Sequence, residues 1–172
     1  MELKGVTTSE NTLTSILKQE WVQITLLSLL SISAPLFIKS PQILVGSIVN
    51  FVLFFSAKRY GFKKTLPSIL LPSLVAYSSN ILFKGATPFL LYFLPVIALG
   101  NSIYVLLGKY IKGGITSVVV GSVCKALLLY IFAVVFVNEL GLPKIFLTSM
   151  GVMQLYTAII GGGLALRIIN KS

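Results

Sequence analysis

Lys125 lies within the apolar run Ser117–Phe136, which is long enough to cross a bilayer. A charged side chain at that depth costs ~3 kcal/mol on insertion scales. No acidic residue lies inside any apolar run of the chain to pair with it. An amine so placed can hold an anion or a strongly polar acceptor, and a bound anion is the partner the sequence itself does not supply. Asn50, Gln154, Asn80 and Asn101 are the other polar residues within apolar segments. Depth counted at ~1.5 Å per residue puts Asn50, Lys125 and Gln154 near the midplane, with Asn80 nearer the outer surface and Asn101 somewhat deeper. Polar side chains facing lipid are expensive, so these are expected to point into a bundle.

Helical spacing groups them with small residues. Gln42, Gly46 and Asn50 recur every four residues, as do Gly113, Ser117, Gly121 and Lys125. Such faces permit an open pocket or close helix packing. The packing alternative holds for each polar position: Asn and Gln often bond between helices without touching a ligand, and Lys125 can be neutral or bonded to carbonyls. Met150, Met153, Tyr156, Tyr77, Tyr92 and Phe93 lie in or near outer halves and offer an adaptable wall for a ring-shaped ligand, or ordinary core and lipid contacts.

The absences narrow the chemistry. The chain has no His, no Asp and one cysteine, Cys124. A Ser–His or Cys–His catalytic pair is therefore impossible, and a transition-metal site or bound cofactor is not expected. Glu2, Glu10, Glu20 and Glu139 all fall at or outside the apolar segments, so a proton relay or sodium site on buried carboxylates is not expected either. No Walker-type phosphate loop is present. These points argue against an enzyme and against self-contained ATP-driven pumping.

The elements that must position these residues are helices. The chain has 172 residues, 56% hydrophobic and 10% charged, against roughly 25% charged in soluble chains. The predicted fold is all-α: a polytopic membrane protein with about six transmembrane helices in one bundle. The spans run near Glu20–Ile38, Pro41–Ala57, Thr65–Phe83, Pro88–Gly108, Gly114–Val137 and Pro143–Leu166, separated by Lys, Gly, Ser and Pro turns. Pro67, Pro72 and Pro95 are expected to kink their helices. Residues 20–168 form the membrane domain, preceded by an interfacial segment, 1–19, and followed by a short tail, 169–172. Thr7 and Glu10 have capping-box spacing, and Leu13, Ile16, Leu17 and Trp21 recur at helical intervals, which predicts a short interfacial helix anchored by Trp21.

Positive charge sets the orientation. Lys4, Lys18, Lys58, Arg59, Lys63, Lys64, Lys109, Lys112, Arg167 and Lys171 fall on one side, and only Lys39, Lys84 and Lys144 on the other. This split predicts a multi-pass protein with both termini cytoplasmic. It also accounts for the net charge of +10 through contact with anionic membrane lipids, without nucleic acid. Two small-residue faces suggest helix docking: Ser28, Ser31 and Ala34 in the first span, and Thr157, Gly161 and Ala165 in the sixth. The partner is either a neighbouring helix or a separate membrane subunit.

Gly46-Ser-Ile-Val-Asn50, Gly100-Asn101, Lys125 and Met150-Gly-Val-Met-Gln-Leu-Tyr-Thr-Ala158, in a chain of this size and span number, resemble an S-component of an energy-coupling factor (ECF) transporter. The resemblance is mostly architectural and covers roughly residues 20–168. It implies a substrate-capture subunit in a bacterial plasma membrane that takes up a vitamin or related micronutrient. It also implies an outward-opening site formed by the outer halves of later helices. The implied partners are a separate transmembrane coupling subunit, docked through small residues of the first span, and an ATPase pair. Ser28, Ser31 and Ala34 differ in spacing from the Ala-x-x-x-Ala of that family. The competing expectations are a membrane scaffold or regulatory subunit without a ligand, and a self-sufficient solute carrier or channel.

Overall fold

Turn chemistry divides the chain where the sequence predicts. Gly61 and Gly141 take φ of 84° and 65°, a region open to glycine at little cost, and each ends a helix. The structure, a computed structural model, describes residues 15, 19–38, 41–80 and 83–171. The long helices are α1 (Glu20–Phe37), α2 (Gln42–Tyr60), α3 (Phe62–Ser79), α4 (Leu90–Tyr110) and α5 (Gly114–Leu140). A short α6 (Ile145–Met150) precedes α7 (Val152–Ile169), and a 3-10 helix at Lys84–Phe89 leads into α4. No strand occurs among the described residues. The predicted interfacial helix and its capping box lie outside the described residues, apart from Ser15 and Gln19. Trp21, its expected anchor, is 76% exposed in the first turn of α1.

Two predicted spans differ in detail. The sixth is not continuous: it breaks at Gly151, whose φ and ψ are −97° and −100°. The apolar pattern runs through this point, which is why the sequence reads as one helix. The third begins at Phe62 and stops at Asn80, which adopts a left-handed conformation with φ 54°. Five segments are long and apolar enough to cross a membrane: Glu20–Phe37, Gln42–Tyr60, Gly85–Tyr110, Gly114–Leu140 and Ile145–Ile169. Helix α3 is not among them, since its 18 residues include Lys63, Lys64, Pro67, Pro72 and several serines.

Packing follows the logic of a lipid-facing bundle. Large apolar side chains such as Leu26, Leu29, Leu127, Ile131 and Leu164 are exposed, while Asn50, Asn101 and Lys125 are buried. Without water in the hydrocarbon, the polar groups turn inward and the apolar ones outward. Two apolar clusters fill the interior. One gathers Phe83, Leu90, Phe93, Leu129, Phe146 and Met150, with Phe93 and Phe146 stacked at 4.8 Å between ring centroids. The other gathers Leu53, Phe54, Ile69, Tyr104, Val118 and Ala165. Along α4, Asn101 falls between Val96 of the first cluster and Tyr104 of the second. Along α5, Lys125 falls between Leu129 and Val118. The polar residues thus form a layer between two dry ones.

Helices α2 and α7 cross closely enough to bring their polar residues together. A Cβ on Gly161 would lie 2.5 Å from the Ser47 carbonyl oxygen and the Phe51 nitrogen. A Cβ on Gly46 would lie 2.7 Å from Thr157 Cγ2. The face Thr157, Gly161 and Ala165 is therefore occupied within the chain, and all three residues are buried. In α1, Ser31 and Ala34 are also buried, and Ser28 Oγ lies 3.4 Å from Ser68 Oγ of α3. Both small-residue faces serve packing inside the chain and leave no free docking surface at Ser31, Ala34, Thr157, Gly161 or Ala165.

Candidate functional site: a buried amine at the base of a cavity

The site begins with the pairing that Lys125 lacks in its own helix. Its Nζ donates to Asn50 Oδ1 at 2.6 Å. Asn50 Nδ2 donates in turn to the Gly46 carbonyl at 2.9 Å and to Thr157 Oγ1 at 3.1 Å. Thr157 Oγ1 donates to the Gln154 carbonyl at 3.2 Å. The Gly46 carbonyl can only accept, so it fixes the orientation of the Asn50 amide and presents Oδ1 to the amine. The α2–α7 approach at Gly46 and Gly161 makes the Asn50–Thr157 bond possible.

The amine also sits 5.5 Å from the Tyr104 ring centroid, within range of a cation–π contact. Tyr104 is held in turn, its hydroxyl donating to the Ala158 carbonyl at 2.7 Å. Tyr104 is not among the residues predicted from the sequence. Its signal is the i, i+3 spacing from Asn101, which puts both on one face of α4.

A cavity of about 90 Å³ meets this polar layer, well above the ~10–15 Å³ that one water requires. Lys125, Asn50, Asn101 and Gln154 all line it, together with Gln42 and Ser73. Val45, Phe83, Leu90, Ile97 and Met150 supply apolar wall. Pro35 is near the end of α1, Gln42 opens α2, Ala76 is near the end of α3 and Leu90 opens α4. These lining residues mark the end of the bundle opposite Lys58, Lys64 and Lys109. The link between Lys64 and Glu20 at 2.7 Å, and that from Lys58 to the Ile111 carbonyl at 3.5 Å, gather the basic end.

Four of the six predicted binding residues therefore meet in one cavity, and two do not. Asn80 is exposed and caps α3; Asn tolerates the left-handed region that this position requires. Tyr156 is 54% exposed on the outer face of α7. Of the predicted wall, Met150 lines the cavity, Phe93 lies in the aromatic cluster beside it, and Tyr92 is exposed.

Asn101 donates from Nδ2 to the Ile69 carbonyl at 3.1 Å, one turn before Pro72 within α3. Its Oδ1 is buried without a hydrogen-bond partner. Lys125 makes one hydrogen bond and no ion pair among the described residues. Glu139 lies near the far end of the same helix, ~21 Å away at ~1.5 Å per residue. No group of three His, Cys, Asp or Glu residues able to hold a metal occurs among the described residues. What the cavity offers is hydrogen-bonding capacity: free amine N–H groups, side-chain amides and one unused carbonyl oxygen, set in apolar walls. That is binding chemistry, with orientation imposed by a few polar groups.

No family profile matches the chain, and comparison with curated proteins and with solved structures gives no match.

Proposed function

We propose that this protein is a membrane-embedded substrate-capture subunit, which takes a small polar or anionic micronutrient from the outer side and passes it to an ATP-driven partner. The observation that carries this reading is the cavity itself: it gathers Lys125, Asn50, Asn101 and Gln154 from four helices and, among the described residues, has no carboxylate in its lining to neutralise the amine. A charge in such a site is costly unless paired, and an anionic ligand offsets that cost. The ten-to-three division of positive charge supports cytoplasmic termini, so that the cavity end of the bundle faces outward. The likeness to ECF S-components supports a partner with its own ATPases. Since Ser31 and Ala34 are buried within the chain, docking would use the exposed apolar side chains of α1, such as Leu26, Leu29 and Leu36.

Native mass spectrometry of the purified protein tests the reading. A retained small molecule with an acidic or strongly polar group is the expected result. A scaffold without a ligand would be free of any such molecule, even when purified from cells grown in rich medium.

A further inference from the structure

Two residues with unused hydrogen-bonding functions of opposite kind line the same cavity. The Lys125 amine has two N–H donors when neutral and three when protonated, and Asn50 accepts one of them. Asn101 has the reverse need. Its Nδ2 must face the Ile69 carbonyl, which can only accept, so the amide cannot be turned over, and Oδ1 is the atom left without a partner. The residue is 3% exposed, and a buried acceptor left unsatisfied is costly. Their helices, α4 and α5, pack closely at this level: a Cβ on Gly100, adjacent to Asn101, would lie 3.5 Å from Lys125 Cγ. Both residues line the one cavity.

We propose that the cavity selects a bifunctional ligand, one that presents an acidic or acceptor group to Lys125 and an O–H or N–H donor to Oδ1 of Asn101. Hydroxy acids, amino acids and carboxylates bearing an N–H belong to this class. Simple carboxylates and simple alcohols each satisfy only half of the site. The walls of Val45, Leu90, Ile97 and Met150 hold the hydrocarbon part. The cavity of about 90 Å³ is well below the ~300–1,000 Å³ of drug-sized sites, which limits the occupant to a small molecule. A site built to pair a donor discriminates against the analogue lacking it, because the buried acceptor is then left bare. This inference rests on the ligand-binding reading above and specifies its chemistry.

The test uses four probes of similar size: 2-hydroxybutyrate, 3-hydroxybutyrate, butyrate and 2-butanol. Each is titrated into the purified full-length protein and followed by ligand-observed NMR. At least one hydroxy acid is expected to bind about tenfold more tightly than butyrate, and more tightly still than 2-butanol. In Asn101→Leu that hydroxy acid should bind no more tightly than butyrate. If butyrate binds the wild-type protein as tightly as both hydroxy acids, Asn101 recruits no donor. The inference is then overturned, while the capture reading stands. That comparison needs no variant to fold. If none of the four probes binds, the ligand-binding reading fails for this cavity and the inference fails with it.

Discussion

At the scale of single residues, the account turns on how Lys125 is satisfied. Asn50 is its one hydrogen-bond partner among the described residues, and Asn50 in turn is tied to Gly46 and Thr157. Removing Asn50 should therefore be worse than removing Lys125. Asn50→Leu strands a buried amine and takes from the Thr157 oxygen the donor it accepts, while its bond to the Gln154 carbonyl remains; the stranded amine costs about 1–3 kcal/mol. Lys125→Met leaves a neutral amide short of one donor. In the double variant both partners are apolar, so its loss should be smaller than the sum of the two single losses. Thermal unfolding of the four proteins in detergent checks this, and additive losses would show that the pair is not coupled. Lys125 and Asn50 were legible in the sequence because charge and amide chemistry stand out in an apolar run. Asn80 caps α3 and does not line this cavity, and an Asn at a helix end looks the same in sequence whether it binds or caps. Only the backbone at φ 54° separates the two.

At the scale of elements, the crossing of α2 and α7 places the polar layer. The Thr157, Gly161 and Ala165 spacing was legible, but spacing cannot say which helix fills the groove. The structure fills it with α2. Gly161→Leu should therefore separate the two helices, since even a Cβ would meet α2 backbone at 2.5 Å. Backbone cannot yield as a flexible side chain can, so the cost should reach or exceed the ~1–3 kcal/mol typical of overpacking. A lower unfolding temperature, together with loss of probe binding, is the expected result. Gly163→Ala, where a Cβ would meet nothing within 4 Å, should leave both unchanged. A tolerated Gly161→Leu would mean that the crossing is not as close as described. The break at Gly151 was not legible, because the apolar pattern on both sides continues without a change of composition.

At the scale of the whole molecule, orientation decides what the cavity faces. The helix pattern and the charge asymmetry were both readable, because hydrophobic length and lysine placement are local properties of the chain. The convergence of Lys125, Asn50, Asn101 and Gln154 from four helices on one cavity was not, since depth alone does not fix which faces converge. In a Cys124→Ser background, an impermeant thiol reagent outside intact cells should label Lys144→Cys and not Lys112→Cys. The reverse pattern would invert the topology and place the cavity end in the cytoplasm. Reconstituted alone, the protein should not concentrate any solute, since the chain has no Walker-type loop and no carboxylate within an apolar segment. Concentrative uptake by the lone protein would favour a self-sufficient carrier. The most direct test of the central claim compares wild-type and Lys125→Met proteins for the molecule retained on purification, by equilibrium binding. Loss of a charge-assisted bond of ~1.5–3 kcal/mol should weaken binding by about one to two decades in the folded variant. Unchanged affinity in a folded Lys125→Met protein would show that the lysine serves packing alone, and would contradict the account.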